Sequence, residues 1–279
     1  MTQIARRRNP RGVAPGTIAL TRAKVIALAA AAPLLGAAAW LWPEVPHWRP
    51  GGTASTQASS VTYLPRPLAC PASGTGPRTG IAIIGDSHVA GGRMGEEGTP
   101  FGAVLESALG GEVPVMLSGI GGGTAADGER RWRGRDLGRG RDLGRGRDLA
   151  RPGLVILAFG TNDAAPRGWL RDKTPVALTD FKASLTRQIT HWRTRGHDVV
   201  LLAPPPGGSA AITGRLEPYR MATREVGEAL GTAVLDPADS FAACPSAQPV
   251  LVRDALHLNA RGHQCLGTWL AHQFCPPTG

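Results

Sequence analysis

Five short apolar runs punctuate the chain beyond position 80: "IAIIG" at 81–85, "VPVML" at 113–117, "LVILAF" at 154–159, "VVLLA" at 199–203 and "AVLD" at 233–236. Runs of this length without polar alternation fit strands covered on both faces. Between them, apolar positions recur at helical spacing around 100–109, 177–194, 216–230 and 260–272. Strands alternating with helices predict an α/β fold, a three-layer α/β/α sandwich around a mostly parallel sheet.

Upstream, the pattern changes. Residues 25–42, "VIALAAAAPLLGAAAWLW", are eighteen uncharged and mostly apolar positions, enough for one bilayer crossing, with Trp40 and Trp42 at the far end. The basic flank before them predicts a cytoplasmic N-terminus and export of the chain beyond residue 42. An uncleaved membrane anchor is favoured, because the run is long for a signal peptide. Small residues at 37–39 offer an A-x-A site, however, and cleavage there would make the protein secreted. A buried core helix would show a polar face, which this run lacks. Residues 43–80 are rich in Pro, Gly, Ser and Thr and read as a linker. The expected organisation is a basic cytoplasmic tail (1–24), a transmembrane signal-anchor (25–42), a linker (43–80) and one folded domain (81–279) in the periplasm or outside the cell.

The net charge of +10 suggests nucleic acid only until it is located. Residues 1–24 contribute +6, from five Arg and one Lys without an acid, and residues 130–151 contribute another +6. Taking twice +6 from +10 leaves about −2 for everything else, so no nucleic-acid partner is expected. The second cluster coincides with "RGRDLG RGRDLG RGRDLA", residues 133–150, a hexapeptide written three times. Six residues are too few for a solenoid unit, and the stretch reads as a solvated insertion before the third strand.

Four cysteines, Cys70, Cys244, Cys265 and Cys275, all lie beyond the apolar segment. An even number in an exported domain favours two disulfides. Three pairings are open, of which Cys70 with Cys275 and Cys244 with Cys265 is preferred. A zinc site from Cys265 with His257 or His263 lacks C-x-x-C or H-E-x-x-H spacing, and neither metal nor cofactor is expected.

Open parallel sheets collect ligands at the carboxyl ends of their strands. The first run ends in Gly85, Asp86, Ser87 and His88, the second is followed by "SGIGGGT" at 118–124, and the third ends in Gly160, Thr161, Asn162 and Asp163. A late loop carries Asp254 three residues before His257. Serine, histidine and aspartate can serve as nucleophile, base and orienter, and an asparagine amide with glycine N–H groups can serve as oxyanion donors. His88 reads as a helix-start residue, with a substrate contact as the alternative.

In this order the blocks resemble those of the SGNH (GDSL) hydrolase superfamily, from about residue 81 to 270. The resemblance implies a flavodoxin-like, five-stranded sheet and an esterase mechanism through an acyl-serine. Ser87, Asp254 and His257 would be the catalytic residues. Ser87 N–H, Gly122 N–H and the Asn162 amide would form the oxyanion hole, with Gly121 and Gly123 as the alternatives for the second-block glycine. Gly85, Asp86, Gly160 and Asp163 would support the turns. The expected substrate is a small-molecule or glycan ester, with short acyl esters such as O-acetyl groups of an envelope glycan preferred. Lysophospholipase, thioesterase and O-acyltransferase activities use the same triad, and a non-catalytic polysaccharide-binding envelope protein is the alternative of another class.

Two enzyme rivals fit less well. The α/β-hydrolase elbow needs G-x-S-x-G, and Val89 stands where its last glycine belongs. Gly121, Gly123 and Ala126 match G-x-G-x-x-A of dinucleotide-binding proteins, but the expected acid would fall inside the hexapeptide repeat.

Overall fold

The structure, a computed structural model, describes residues 80–91, 98–133, 153–164, 174–244 and 249–275. The tail, anchor segment, linker and nearly all of the hexapeptide repeat lie outside these residues. Among the described residues no helix is long and apolar enough to cross a membrane.

Five strands, β1 (Ile81–Gly85), β2 (Val115–Gly119), β3 (Leu154–Ala158), β4 (Asp198–Leu202) and β5 (Ala233–Leu235), form one sheet in the order β2-β1-β3-β4-β5. Every pairing is parallel, with Ile81 opposite both Val115 and Leu154. The order reverses at β1, so the crevice beside its carboxyl end is the place where such sheets bind ligands.

Alternation along the strands assigns the two faces. Ile81 and Ile83 of β1, with Leu154 and Ile156 of β3, pack against α1 (Phe101–Ala108), α6 (Pro237–Ala242) and α7 (Ala260–Phe274) through Phe101, Leu105, Phe241, Leu266 and Leu270. Ala82 and Ile84, with Val155 and Leu157, face α4 (Leu178–Arg193) and α5 (Ala210–Ala229) through Phe181, Leu185, Tyr219 and Val226. Two further helices, α2 (Ala125–Arg133) and the single turn α3 (Thr161–Ala164), come after β2 and β3. Ala125 and Ala164 place both on the α4–α5 side. Both faces of β1 are dry, which is why its sequence shows no polar alternation.

The differences from the sequence expectation have local causes. β2 begins two residues later than expected, because Pro114 has no N–H to give and its carbonyl instead receives the Ile81 N–H. The strand runs on through Ser118 and Gly119 because these pair with Ile84 and Gly85. Helix α5 starts at Ala210 behind a Ser209 cap, six residues before the apolar pattern becomes visible at Leu216. Its first turns are largely exposed and carry no stripe. Helix α2 has a polar sequence and is started by a reciprocal cap: Thr124 N–H donates to the Asp127 carboxylate at 2.9 Å and Asp127 N–H to Thr124 Oγ1 at 3.3 Å.

Cys244 and Cys265 are joined by a disulfide. Cys275 is disulfide-bonded as well, and Cys70, its expected partner, lies outside the described residues. With Cys265 bonded to Cys244, its sulfur is not a zinc ligand.

Candidate active site

Gly85 ends β1 at a point where no side chain fits: a Cβ there would stand 2.3 Å from the Ala158 carbonyl oxygen. The close approach lets Asp86 N–H reach that same carbonyl at 3.2 Å, while Gly85 C=O accepts Ile120 N–H at 2.9 Å. The ends of β1, β2 and β3 are thereby tied together around Ser87. Beyond it the chain makes one helical turn, with Ala90 N–H on Asp86 C=O, instead of starting the helix expected there.

Ser87 Oγ donates to His257 Nε2 at 3.0 Å, and His257 Nδ1–H donates to Asp254 Oδ2 at 2.7 Å. The Asp254 contact puts the imidazole proton on Nδ1 and leaves the Nε2 lone pair toward the serine. The other Asp254 oxygen accepts the N–H groups of Leu256 and His257 at 3.0 and 2.9 Å. Burial pushes the Asp254 carboxyl up, but the bonds from the His257 ring and these two amides outweigh it and hold its pKa at about 2.

The segment carrying both residues is the tip of a tight reversal. Val252 N–H bonds His257 C=O at 2.9 Å, Leu251 bridges Leu258 in antiparallel fashion, and Ala255 takes φ +56° at the turn. Gly208 N–H, from the loop after β4, holds the Ala255 carbonyl at 2.8 Å. Asn259 fixes the exit: its Oδ1 caps α7 through Gly262 N–H, and its Nδ2 binds the Pro249 and Leu251 carbonyls. No sequence pattern had marked Ala255 or Asn259.

Asn162, buried in α3, donates from Nδ2 to the Gly123 carbonyl at 3.1 Å. In the glycine run, Gly123 N–H closes a turn on Ile120 C=O at 2.9 Å. Gly122 sits exposed at the third position of this turn with φ +70°, where glycine alone avoids strain. Gly160 opens α3, its carbonyl accepting Ala164 N–H at 3.0 Å. The Asp163 carboxylate accepts Ala125 N–H at 3.1 and 3.2 Å. That contact fills the N-terminus of α2, the place where a dinucleotide phosphate would sit.

His88 occupies neither of the positions expected for it. It is 5% exposed, with its backbone N–H and its Nδ1 both on Asp86 Oδ1, at 2.9 and 3.1 Å, and its Nε2 on the Leu256 carbonyl at 3.1 Å. A buried ring with both nitrogens engaged makes no substrate contact. Its adjacency to Ser87 was the only signal in the sequence.

No curated protein sequence matches the chain significantly. Among solved structures, a lipase/acylhydrolase from Enterococcus faecalis superposes with TM-score 0.54 at 23% identity, covering 72% of this chain and all of that one. An α/β hydrolase enzyme from the metagenome of Lake Arreo gives TM-score 0.57 at 22% identity, over 73% and 99% of the two chains. An acetylxylan esterase from Geobacillus stearothermophilus gives TM-score 0.55 at 20% identity, over 72% and 98%. At such identities the likeness speaks for the fold. The family model of GDSL-like lipases and acylhydrolases matches residues 83–265, from β1 into α7, and so spans the Ser87 turn, the Gly121–Gly123 loop, the Asn162 turn and the Asp254–His257 tip. With well over half of its length matched, the chain belongs to the GDSL-like lipase/acylhydrolase family and is a hydrolase of ester bonds.

Proposed function

We propose that this hydrolase works through an acyl-serine on Ser87, with His257 as general base and Asp254 as its orienter. The observation that carries the reading is the continuous relay of hydrogen bonds from Ser87 Oγ through His257 to Asp254, at 3.0 and 2.7 Å. As Ser87 Oγ attacks the ester carbonyl carbon, its proton passes to His257 Nε2 and negative charge develops on the former carbonyl oxygen. Asp254 stays ionised and stabilises the imidazolium. Ser87 N–H, Gly122 N–H and Asn162 Nδ2–H take the oxyanion. Gly122 is assigned here over Gly123, whose N–H is already engaged by Ile120. The tetrahedral adduct expels the alkoxide, which takes the proton from His257. Water then attacks the acyl-serine, His257 accepts its proton, and collapse returns the proton to Ser87 with release of the acid.

For substrate we infer a short acyl ester, such as an O-acetyl group on an envelope glycan. The shared fold with an acetylxylan esterase supports this. We place the domain outside the cytoplasm, anchored by residues 25–42. The basic-flanked apolar run supports the anchor, and the Cys244–Cys265 disulfide fits an oxidising compartment.

The test is hydrolysis of p-nitrophenyl acetate, butyrate and octanoate by the protein and its Ser87→Ala variant. Loss of all activity in Ser87→Ala, with acetate the best wild-type substrate, is expected. A preference for octanoate overturns the short-acyl reading, and undiminished Ser87→Ala hydrolysis overturns the serine mechanism. Product analysis with an added alcohol distinguishes transfer from hydrolysis.

A further inference from the structure

The three polar residues that end β1 are all engaged, but the relay through His257 uses only the middle one. Asp86 and His88 form a second, wholly buried pair one residue to either side of Ser87, with side-chain exposures of 3% and 5%. His88 Nδ1 faces the Asp86 carboxylate and His88 Nε2 faces the Leu256 carbonyl, each at 3.1 Å. Both partners are acceptors only. A neutral imidazole has one N–H, and in either tautomer it would turn a lone pair toward one of these oxygens in a dry setting. Two N–H donors require the imidazolium.

We propose that His88 is a resident imidazolium that braces the turn carrying the nucleophile against the loop carrying the base. The connection is local at both ends: residue 88 adjoins Ser87 and residue 256 precedes His257. The bond from His88 to Leu256 therefore runs beside the Ser87–His257 bond, and the two rings stack with centroids 5.3 Å apart and planes at 24°. The Ser87–His257 distance is then set by a pair of parallel links between segments about 170 residues apart.

The surroundings agree. Burial opposes a charge on His88, yet the Asp86 charge and hydrogen bond, the Leu256 carbonyl and the Asp254 charge outweigh it and raise its pKa. The groups facing the ring are Asp86 from its own turn, Asp254 and His257 from the loop before α7, and His263 from α7 itself. Burial first, and the neighbouring His88 and His257 next, push His263 down to about 3. His263 thus stays neutral and accepts Phe101 N–H at Nδ1, 3.2 Å away. His88 is a positioning residue: it touches neither substrate nor the reacting atoms. The inference rests on Ser87 and His257 being the reacting pair.

Ring protonation is read by long-range 1H–15N correlation spectra at pH 7, in the wild-type protein and in Ser87→Ala, where turnover plays no part. Both His88 nitrogens are expected to carry protons in each, and Asp86→Asn is expected to return the ring to one proton. In kinetics, His88→Gln is expected to lower kcat by about 10- to 100-fold with KM within about threefold, since a displaced base penalises the chemical step more than binding. An unprotonated His88 nitrogen in the wild-type spectra overturns the proposal, as does full kcat in a folded His88→Gln protein. Hydrolysis that survives Ser87→Ala overturns the serine mechanism instead, and the spectra still decide the charge on His88.

Discussion

Asn162 reaches across from α3 to the β2–α2 loop, where one of its two amide protons binds the Gly123 carbonyl at 3.1 Å. The bond fixes the plane of the amide, and the second proton is left in a set direction. Preorganisation of this kind is what makes an oxyanion donor effective, because no reorientation is needed as charge develops. Asn162→Ala is expected to reduce kcat by about 10²- to 10³-fold with little change in KM. Steady-state kinetics on p-nitrophenyl acetate checks this, and a KM-dominated defect would speak against an oxyanion role.

Asp163, next in sequence, sets up a pH dependence of stability. Its carboxyl is held up at about 7: burial raises it most, the hydrogen bond from Ala125 N–H lowers it, and the Asp86 and Asp127 charges add to the rise. In the unfolded chain the group titrates near the usual value of about 3.9. Between the two values the folded state holds a proton that the unfolded state has released, so stability falls as pH rises from about 4 to 7 and levels off above. Asp163→Asn keeps an oxygen for Ala125 N–H and removes the titration. Its stability relative to wild type is expected to increase across that window, by up to about 4 kcal/mol. Urea unfolding at pH 4.5, 6 and 8 measures it; a pH-independent offset would sink the assignment.

Ala255 takes a left-handed conformation, φ +56°, between Asp254 and His257. Such a conformation costs a non-glycine residue about 1–2 kcal/mol. Ala255→Gly relieves the strain but frees the unfolded chain, so the net gain is expected to be small, under about 1 kcal/mol, with activity retained. Ala255→Val adds a β-branched side chain at the same φ, beside Gly208, and is expected to lose more than about 2 kcal/mol along with most of the hydrolysis. Thermal unfolding and kcat of the two variants side by side provide the measurement. Equal behaviour would show that the conformation is immaterial.

The Cys244–Cys265 disulfide has a sequence separation of 21, and both Asp254 and His257 lie within the loop it closes. For a loop of that size the cross-link is expected to contribute about 3 kcal/mol. The Cys244→Ser/Cys265→Ser double variant should unfold correspondingly earlier in urea and lose kcat before it loses its fold, because the proposed base, His257, sits in the loosened segment. An unchanged unfolding midpoint contradicts this.

The elements legible in the sequence are the strands that are dry on both sides and the helices that bury one apolar stripe, α1, α4 and α7. β1 and the first residue of β3 stand where the uninterrupted apolar runs put them, because every residue from Ile81 to Ile84 and from Leu154 to Leu157 is buried. The first turns of α5 and all of α2 went unseen because hydrogen-bonded caps at Ser209 and Thr124, not an apolar stripe, hold their starts. At the site, Ser87, His257 and Asp254 were picked out by residue type and spacing, and the chain does bring them into one hydrogen-bonded row. His88 escaped because its function depends on a carbonyl 168 positions away, and a carbonyl has no letter of its own in a sequence.

The bond between Ser87 and His257 closes a span of 170 positions. Closing a contact over so long a stretch costs loop-closure entropy that local contacts do not. A nascent chain that has presented the β1 turn, the glycine loop and α3 therefore has the proposed nucleophile and its proposed amides without the proposed base. Under the proposed mechanism hydrolysis needs the Asp254–His257 tip at Ser87, so the onset of activity during refolding is expected to coincide with closure of that contact.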